Sequence, residues 1–156
     1  MISVNIPGRG VMELKHIVLD FNGTMACDGA LIPGAEERLN KLSGQLEVHI
    51  MTADTFGLCR SACSGIKGSI QIMTAAIGAP EKEKFVESLG ANNVVAVGNG
   101  ANDNQMLKRA ALGIVIIGSE GASTRSLLAA DVVVQDINDG LDMLLNPKRL
   151  IATLRE

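Results

Sequence analysis

The run Ile17-Val18-Leu19 carries no polar side chain, ends in Asp20, and is followed at once by Phe21-Asn22-Gly23-Thr24. An apolar run of strand length fits a strand covered on both faces, which is the environment a parallel sheet provides. A carboxylate at the end of such a strand makes Asp20 a candidate nucleophile, because the Gly-Thr turn after it is expected to face an anion with its backbone N–H groups. In isolation the same pattern also describes a strand leaving the core through an ordinary polar turn, so the rest of the chain must separate the two readings.

The pattern recurs. A second strand is predicted over 46–52, ending in Thr52-Ala53-Asp54 ahead of a helix over 56–63, with Asp54 as its cap. A weaker third strand covers 69–73, and a fourth, over 93–97, ends in Gly98-Asn99-Gly100-Ala101-Asn102-Asp103. Further strands are expected over 112–117 and 131–134, with a short helix over 124–129 between them. Helical spacing appears in Ala35, Leu39 and Leu42, in Phe85, Val86 and Leu89 after a start at Pro80-Glu81, and in Met106, Leu107, Ala110 and Ala111. The tail reads as helical from Ile137, with Pro147 opening a last helix. Ile2, Val4 and Ile6 alternate with polar residues as a half-buried edge strand, and Pro7-Gly8-Arg9-Gly10 turns the chain. Asp28-Gly29 favours a tight hairpin, so 25–32 is read as a small flap beside the site. Strands alternating with helices imply right-handed crossovers and one doubly wound, Rossmann-like parallel sheet with helices on both faces, in a single α/β domain spanning 1–156. Ligands of such sheets bind outside the carboxyl ends of the strands, where Asp20, Thr52 and the 98–103 turn are all expected. Three polar clusters on one rim favour the functional reading.

Composition narrows the partners. With 156 residues, 47% hydrophobic, the chain can build one real core. A net charge of −3 and scattered Lys and Arg argue against nucleic acid or an anionic membrane as partner. With 2% aromatics and neither Trp nor Tyr, rings for stacking bases are scarce. Cys27, Cys59 and Cys63 have no C-x-x-C spacing and no nearby histidine, which indicates neither a disulfide framework nor a zinc site and fits a reducing cytoplasm. Cys59 and Cys63 would share a helix face as packing residues; His16 and His49, beside or within apolar runs, read as structural. No signal-peptide pattern and no apolar run of membrane-crossing length is present, so a soluble cytoplasmic protein is expected.

A carboxylate nucleophile, a hydroxyl, a lysine and a second carboxylate on one rim are the parts that phosphoryl transfer needs. These residues resemble, in order and over nearly the whole chain, the haloacid dehalogenase-like (HAD) phosphotransferase superfamily, and within it the phosphorylation domain of P-type ATPases. The family's Asp-x-x-Gly-Thr is matched by Asp20 to Thr24, its Thr-Gly-Asp by Thr52-Ala53-Asp54, its lysine by Lys82 with Lys84 as rival, and its Gly-Asp-Gly-x-Asn-Asp by the residues from Gly98 to Asp103. Leu107-Lys108-Arg109-Ala110, Gly118-Ser119 and Ala129-Ala130-Asp131-Val132-Val133 continue the likeness. The resemblance implies that Asp20 becomes a phosphoaspartate, that Gly23, Thr52, Ala53 and Lys82 hold the phosphoryl group of a small phosphorylated substrate, and that Mg2+ sits among Asp20, the Asn22 carbonyl, Asn99 and Asp103, with Asn102 beside them.

Three departures qualify it. No transmembrane run exists, and the intervals from Asp20 to Thr52 and from Thr52 to Lys82 are too short for a nucleotide-binding or sizeable cap domain, so the chain is no ion pump. Any lid is the 25–32 flap or a second copy of the chain in a homo-oligomer covering an open site. Asn22 stands where superfamily phosphatases place the aspartate that serves as general acid and base, an exchange worth about 10²–10⁴-fold. Asn99 replaces an aspartate ligand, and a neutral amide is a poorer ligand for a hard cation. Two readings follow: a magnesium-dependent phosphohydrolase or phosphotransferase that prefers good leaving groups, or a catalytically degenerate homologue that binds phosphate, nucleotide or a protein.

Overall fold

The computed structural model describes residues 1–53 and 57–156. The chain opens with β1 (Ile2–Ile6) and β2 (Gly10–Leu14), then β3 (His16–Asp20), the short strands β4 (Ala26–Cys27) and β5 (Ala30–Leu31), α1 (Ala35–Leu42), β6 (Glu47–Thr52), α2 (Leu58–Ala62) and β7 (Ser69–Ile72). The second half runs α3 (Gly78–Ser88), β8 (Val94–Gly98), a 3₁₀ turn (Ala101–Asp103), α4 (Asn104–Arg109), β9 (Leu112–Ile116), α5 (Thr124–Ala129), β10 (Val132–Val134), α6 (Ile137–Leu145) and α7 (Pro147–Leu154).

Six strands form one parallel sheet in the order β10-β9-β8-β3-β6-β7. The chain builds outward from β3 through β6 to β7, then crosses back to lay β8 against the other side of β3. The order therefore reverses at β3, and the carboxyl ends of β3 and β8 flank that switch point. Because successive strand residues face opposite sides, Ile17 and Leu19 join the core beneath α1, α6 and α7, while Val18 joins the core beneath α3 and α4. Helices thus cover both faces, as the alternating pattern predicts, and among the described residues no insertion large enough for a cap follows β3 or β6.

Several boundaries differ from expectation. The leader is not an edge of the central sheet: β1 pairs antiparallel with β2 in a separate two-stranded sheet. Gly8 and Gly10, at φ of 87° and 90°, turn the chain back on itself, and Ile2, Val4 and Ile6 pack into the core that also holds Leu150 and Leu154. The 11–14 run was hidden as a strand because it lacks clean alternation. α3 begins at Gly78, two residues before Pro80, a residue that tolerates the first helical turn. Residues 54–56, which include Asp54 and the expected start of the following helix, lie outside the described residues; α2 is described over Leu58–Ala62. The 25–32 segment does form a hairpin, with Asp28 and Gly29 both at positive φ (51° and 79°), as a primed turn requires.

Candidate active site

Asp20 is the last residue of β3, on the same face of the strand as Val18, toward α3 and α4. From α3, Val86 enters that core and Lys82, one turn earlier on the same face, is carried in with it; both are fully buried. Lys82 Nζ donates to Asp20 Oδ1 at 2.7 Å and to Asp103 Oδ1 at 2.5 Å. Lys84, the rival lysine, is exposed.

Asp103 closes the turn after β8. Its Oδ2 accepts from the backbone N–H groups of Asn99 and Gly100, both at 2.9 Å, so the carboxylate that grips Lys82 also folds the 98–103 loop around itself. Only glycine fits at 98, since a Cβ there would lie 2.5 Å from Asp103 Cγ. Ser126 Oγ donates to Gly100 O at 2.5 Å and the Ser123 N–H donates to Asn99 O at 2.8 Å, so the segment leading into α5 braces the same loop. These bracing residues carry no motif and were not foreseen. Asn99 is buried; its Oδ1 accepts from Thr24 Oγ1 at 3.2 Å and its Nδ2 donates to Gly121 O at 3.0 Å.

After Asp20 the chain wraps around one carbonyl: Phe21 O accepts from the N–H groups of Thr24, Met25 and Ala26 at 3.3, 3.1 and 3.0 Å. The Gly23 N–H donates to Ala26 O at 2.8 Å. This corrects the expectation for the Gly-Thr turn, because the amides of Gly23 and Thr24 are committed inside it and do not face an anion. Gly23 holds the turn at a positive φ of 78°. Thr52 ends β6 and is buried beside the rim; Ala53, Asn22 and Asn102 are exposed there. The structure thus brings Asp20, Lys82 and Asp103 into direct contact, ties Asn99 to the first motif through Thr24, and leaves Asn22 facing solvent. A cavity of about 140 Å³ lies between Gly23, Thr24, the hairpin and Asp136.

Burial, and then the Asp103 carboxylate, push Asp20 up to about 7, against the pull of Lys82 and the Phe21 N–H. Burial also disfavours the Lys82 ammonium, but the two carboxylates outweigh it and hold the lysine above its ordinary value. Two carboxylates share one ammonium in a buried place, so one negative charge is uncompensated and a proton or a cation is favoured there. The donors at the rim are oxygens, the set that suits a hard cation such as Mg2+.

No protein-family model matches the chain. It is 51% identical over 79 residues to a Methanocaldococcus jannaschii protein described as "Uncharacterized protein MJ0073", a match covering 48% of this chain and 85% of that one. A second protein of that organism, "Uncharacterized protein MJ0072", is 49% identical over 39 residues, 25% of this chain and 89% of that one. Among solved structures, the cobalt-bound deoxy-D-mannose-octulosonate 8-phosphate phosphatase of Haemophilus influenzae superimposes with a TM-score of 0.70 at 12% identity, covering 88% of this chain and 90% of that one. The Moraxella catarrhalis 3-deoxy-D-manno-octulosonate 8-phosphate phosphatase, solved with magnesium, phosphate and KDO, gives 0.68 at 15% identity over 91% of this chain and 94% of that one. An apo phosphoserine phosphatase gives 0.67 at 16% identity, over 85% of this chain and all of that one. The chain therefore belongs to one family with the MJ0073 protein, and its fold is that of the HAD-superfamily hydrolases.

Proposed function

We propose that the protein is a magnesium-dependent phosphohydrolase or phosphotransferase that works through an aspartyl phosphate on Asp20. The observation that carries this reading is Lys82, buried without solvent contact between Asp20 and Asp103 at a topological switch point. A lysine held there keeps the nucleophile partly ionised against burial and neutralises phosphoryl oxygens as they approach. An Asp20 carboxylate oxygen forms a bond to phosphorus, the bond from phosphorus to the leaving oxygen breaks, and that oxygen departs with its electron pair. Water then hydrolyses the acyl phosphate, or an acceptor hydroxyl takes the phosphoryl group.

Thr52 is assigned to the phosphoryl oxygens, and Asp20, the Asn22 carbonyl, Asn99 and Asp103 to the metal. When bound, magnesium supplies charge neutralisation to the phosphate. Asp103 has both oxygens engaged by Lys82 and the loop amides, so its firmest contribution is to position the lysine. Asn22 can donate a hydrogen bond to the departing oxygen but not a carboxyl proton, which favours acyl, aryl and nucleoside-diphosphate leaving groups, in keeping with the P-type ATPase likeness.

The binding-only reading draws support from Asn99, whose amide is wired to Thr24 and Gly121 as a structural link. Acetyl phosphate and aryl phosphate hydrolysis with magnesium, in wild type and Asp20→Asn, separates the two. Turnover that falls at least about 10³-fold in the variant, with a phosphate mass adduct trapped on wild type alone, is the expected result. Phosphate binding without turnover in either protein would favour the binding-only reading.

A further inference from the structure

At the opposite, amino-terminal edge of the sheet, three ligand-type side chains converge that the phosphoryl chemistry leaves unused. His16 opens β3 and Glu47 opens β6, and the two are register partners. His49 follows Glu47 by two residues, so both side chains leave the same face of β6. His16 Nδ1 stands 3.3 Å from His49 Nε2 and 3.5 Å from Glu47 Oε2, and His49 Nε2 is 3.9 Å from the same oxygen. An ion held tetrahedrally at ~2.0–2.1 Å from nitrogen and oxygen donors separates those donors by roughly 3.3–3.4 Å. The three atoms therefore already stand close to the spacing that one ion between them imposes.

We propose that His16, Glu47 and His49 form a site for a divalent transition-metal ion of the zinc type, with a fourth position left for water or an outside ligand. Two imidazoles and one carboxylate are a three-ligand zinc set, whereas magnesium prefers oxygen donors throughout. The site has the supporting contacts that metal histidines use. His49 Nδ1 is 3.0 Å from Ser69 Oγ, and with Nδ1–H donating there, Nε2 presents its lone pair to the cluster. Phe85 packs against the same ring, the two at 74° with centroids 5.5 Å apart, which fixes its orientation. Glu47, His49 and Ser69 line a cleft of about 690 Å³ that offers a route in.

Four strand steps, roughly 13 Å, separate His16 from Asp20 along β3. The ion is thus independent of the phosphoryl site, and its effect is to cross-link the two strands around which the sheet is built. In the sequence both histidines read as structural; the spacing of Glu47 and His49 on one strand face is the available signal, but only the register of β3 against β6 brings His16 to them.

The test titrates the protein with Zn2+ by calorimetry and with Co2+ by visible spectroscopy, in wild type, Glu47→Gln, His49→Ala, Ser69→Ala and Asp20→Asn. The Glu47 side chain is 73% exposed, so its substitution reports on the metal even if His49→Ala fails to fold. One equivalent of zinc, tetrahedral Co2+ bands and a zinc-dependent rise in Tm are expected in wild type and Asp20→Asn. Affinity should fall at least about 10²-fold in Glu47→Gln and His49→Ala and roughly 10-fold in Ser69→Ala. Absence of tetrahedral Co2+ bands in wild type, or one-equivalent zinc binding that is unchanged in Glu47→Gln, overturns the proposal.

Discussion

Gly23 lies so close to Asn99 that a Cβ on it would stand 2.4 Å from the Asn99 amide nitrogen. The contact joins the turn after the nucleophile to the loop that holds Asp103, and Gly23 also occupies a positive φ of 78°. Alanine at 23 meets both obstacles, so Gly23→Ala should cost about 1–3 kcal/mol and displace Asn99. Urea unfolding measures the cost. A variant as stable as wild type would mean that the turn relaxes freely and does not set the position of Asn99.

Asn99→Asp keeps the acceptor for Thr24 but turns an oxygen toward the Gly121 carbonyl, where the amide now donates. The mismatch should cost about 1–3 kcal/mol without metal. It also adds a carboxylate near Asp20 and Asp103, whose charge Lys82 only partly balances. The variant should therefore melt below wild type in the absence of magnesium and gain more Tm as magnesium is added. Thermal melts across a magnesium series check this; equal gains in both proteins would place residue 99 away from the ion.

Asn22, exposed at the rim, is where a carboxylic acid would have room to serve an incoming substrate. Asn22→Asp should raise alkyl phosphate turnover by about 10²-fold or more while changing the first step of acyl and aryl substrates much less. It should also shorten the life of the phosphoenzyme, because the same group would activate water. A leaving-group series in both proteins is the measurement. Similar wild-type rates on alkyl and aryl phosphates, with a ratio unmoved by the substitution, would show that another group delivers the proton.

Away from the site, Arg38 on α1 donates from Nε and Nη2 to the two Asp142 carboxylate oxygens on α6, at 2.8 and 3.2 Å. That hydrogen bonding, helped by the Arg38 charge and opposed by partial burial, holds the Asp142 carboxyl below its ordinary value of 3.8. A depressed carboxylate stabilises the fold above its unfolded pKa and loses that contribution as pH falls through its folded pKa. Arg38→Met should accordingly lower Tm at neutral pH, with the gap to wild type narrowing below about pH 4. A gap that stays constant into acid would assign the loss to packing instead of charge.

What the sequence determined by itself was local. The apolar run before Asp20 fits a strand covered on both sides, and Asp28-Gly29 favours a tight turn, because both are consequences of side-chain hydration and backbone sterics within a few residues. Three of the four motifs marked which strand ends carry polar groups, and the structure brings the fourth, Lys82 on α3, into contact with Asp20 and Asp103 there. Tertiary structure decided what depends on pairings between distant segments. Periodicity says which face of a strand is buried but not which strand lies beside it, so the return of β8 to the far side of β3 appears only in the fold. That return makes Asp20 and Asp103 neighbours. The same limit explains the leader, whose partner β2 lacks alternation, and the Gly23 amide, whose acceptor Ala26 depends on how the turn closes. It explains His16, Glu47 and His49 as well: three residues unremarkable in the chain become a cluster because the β3–β6 register sets His16 opposite Glu47.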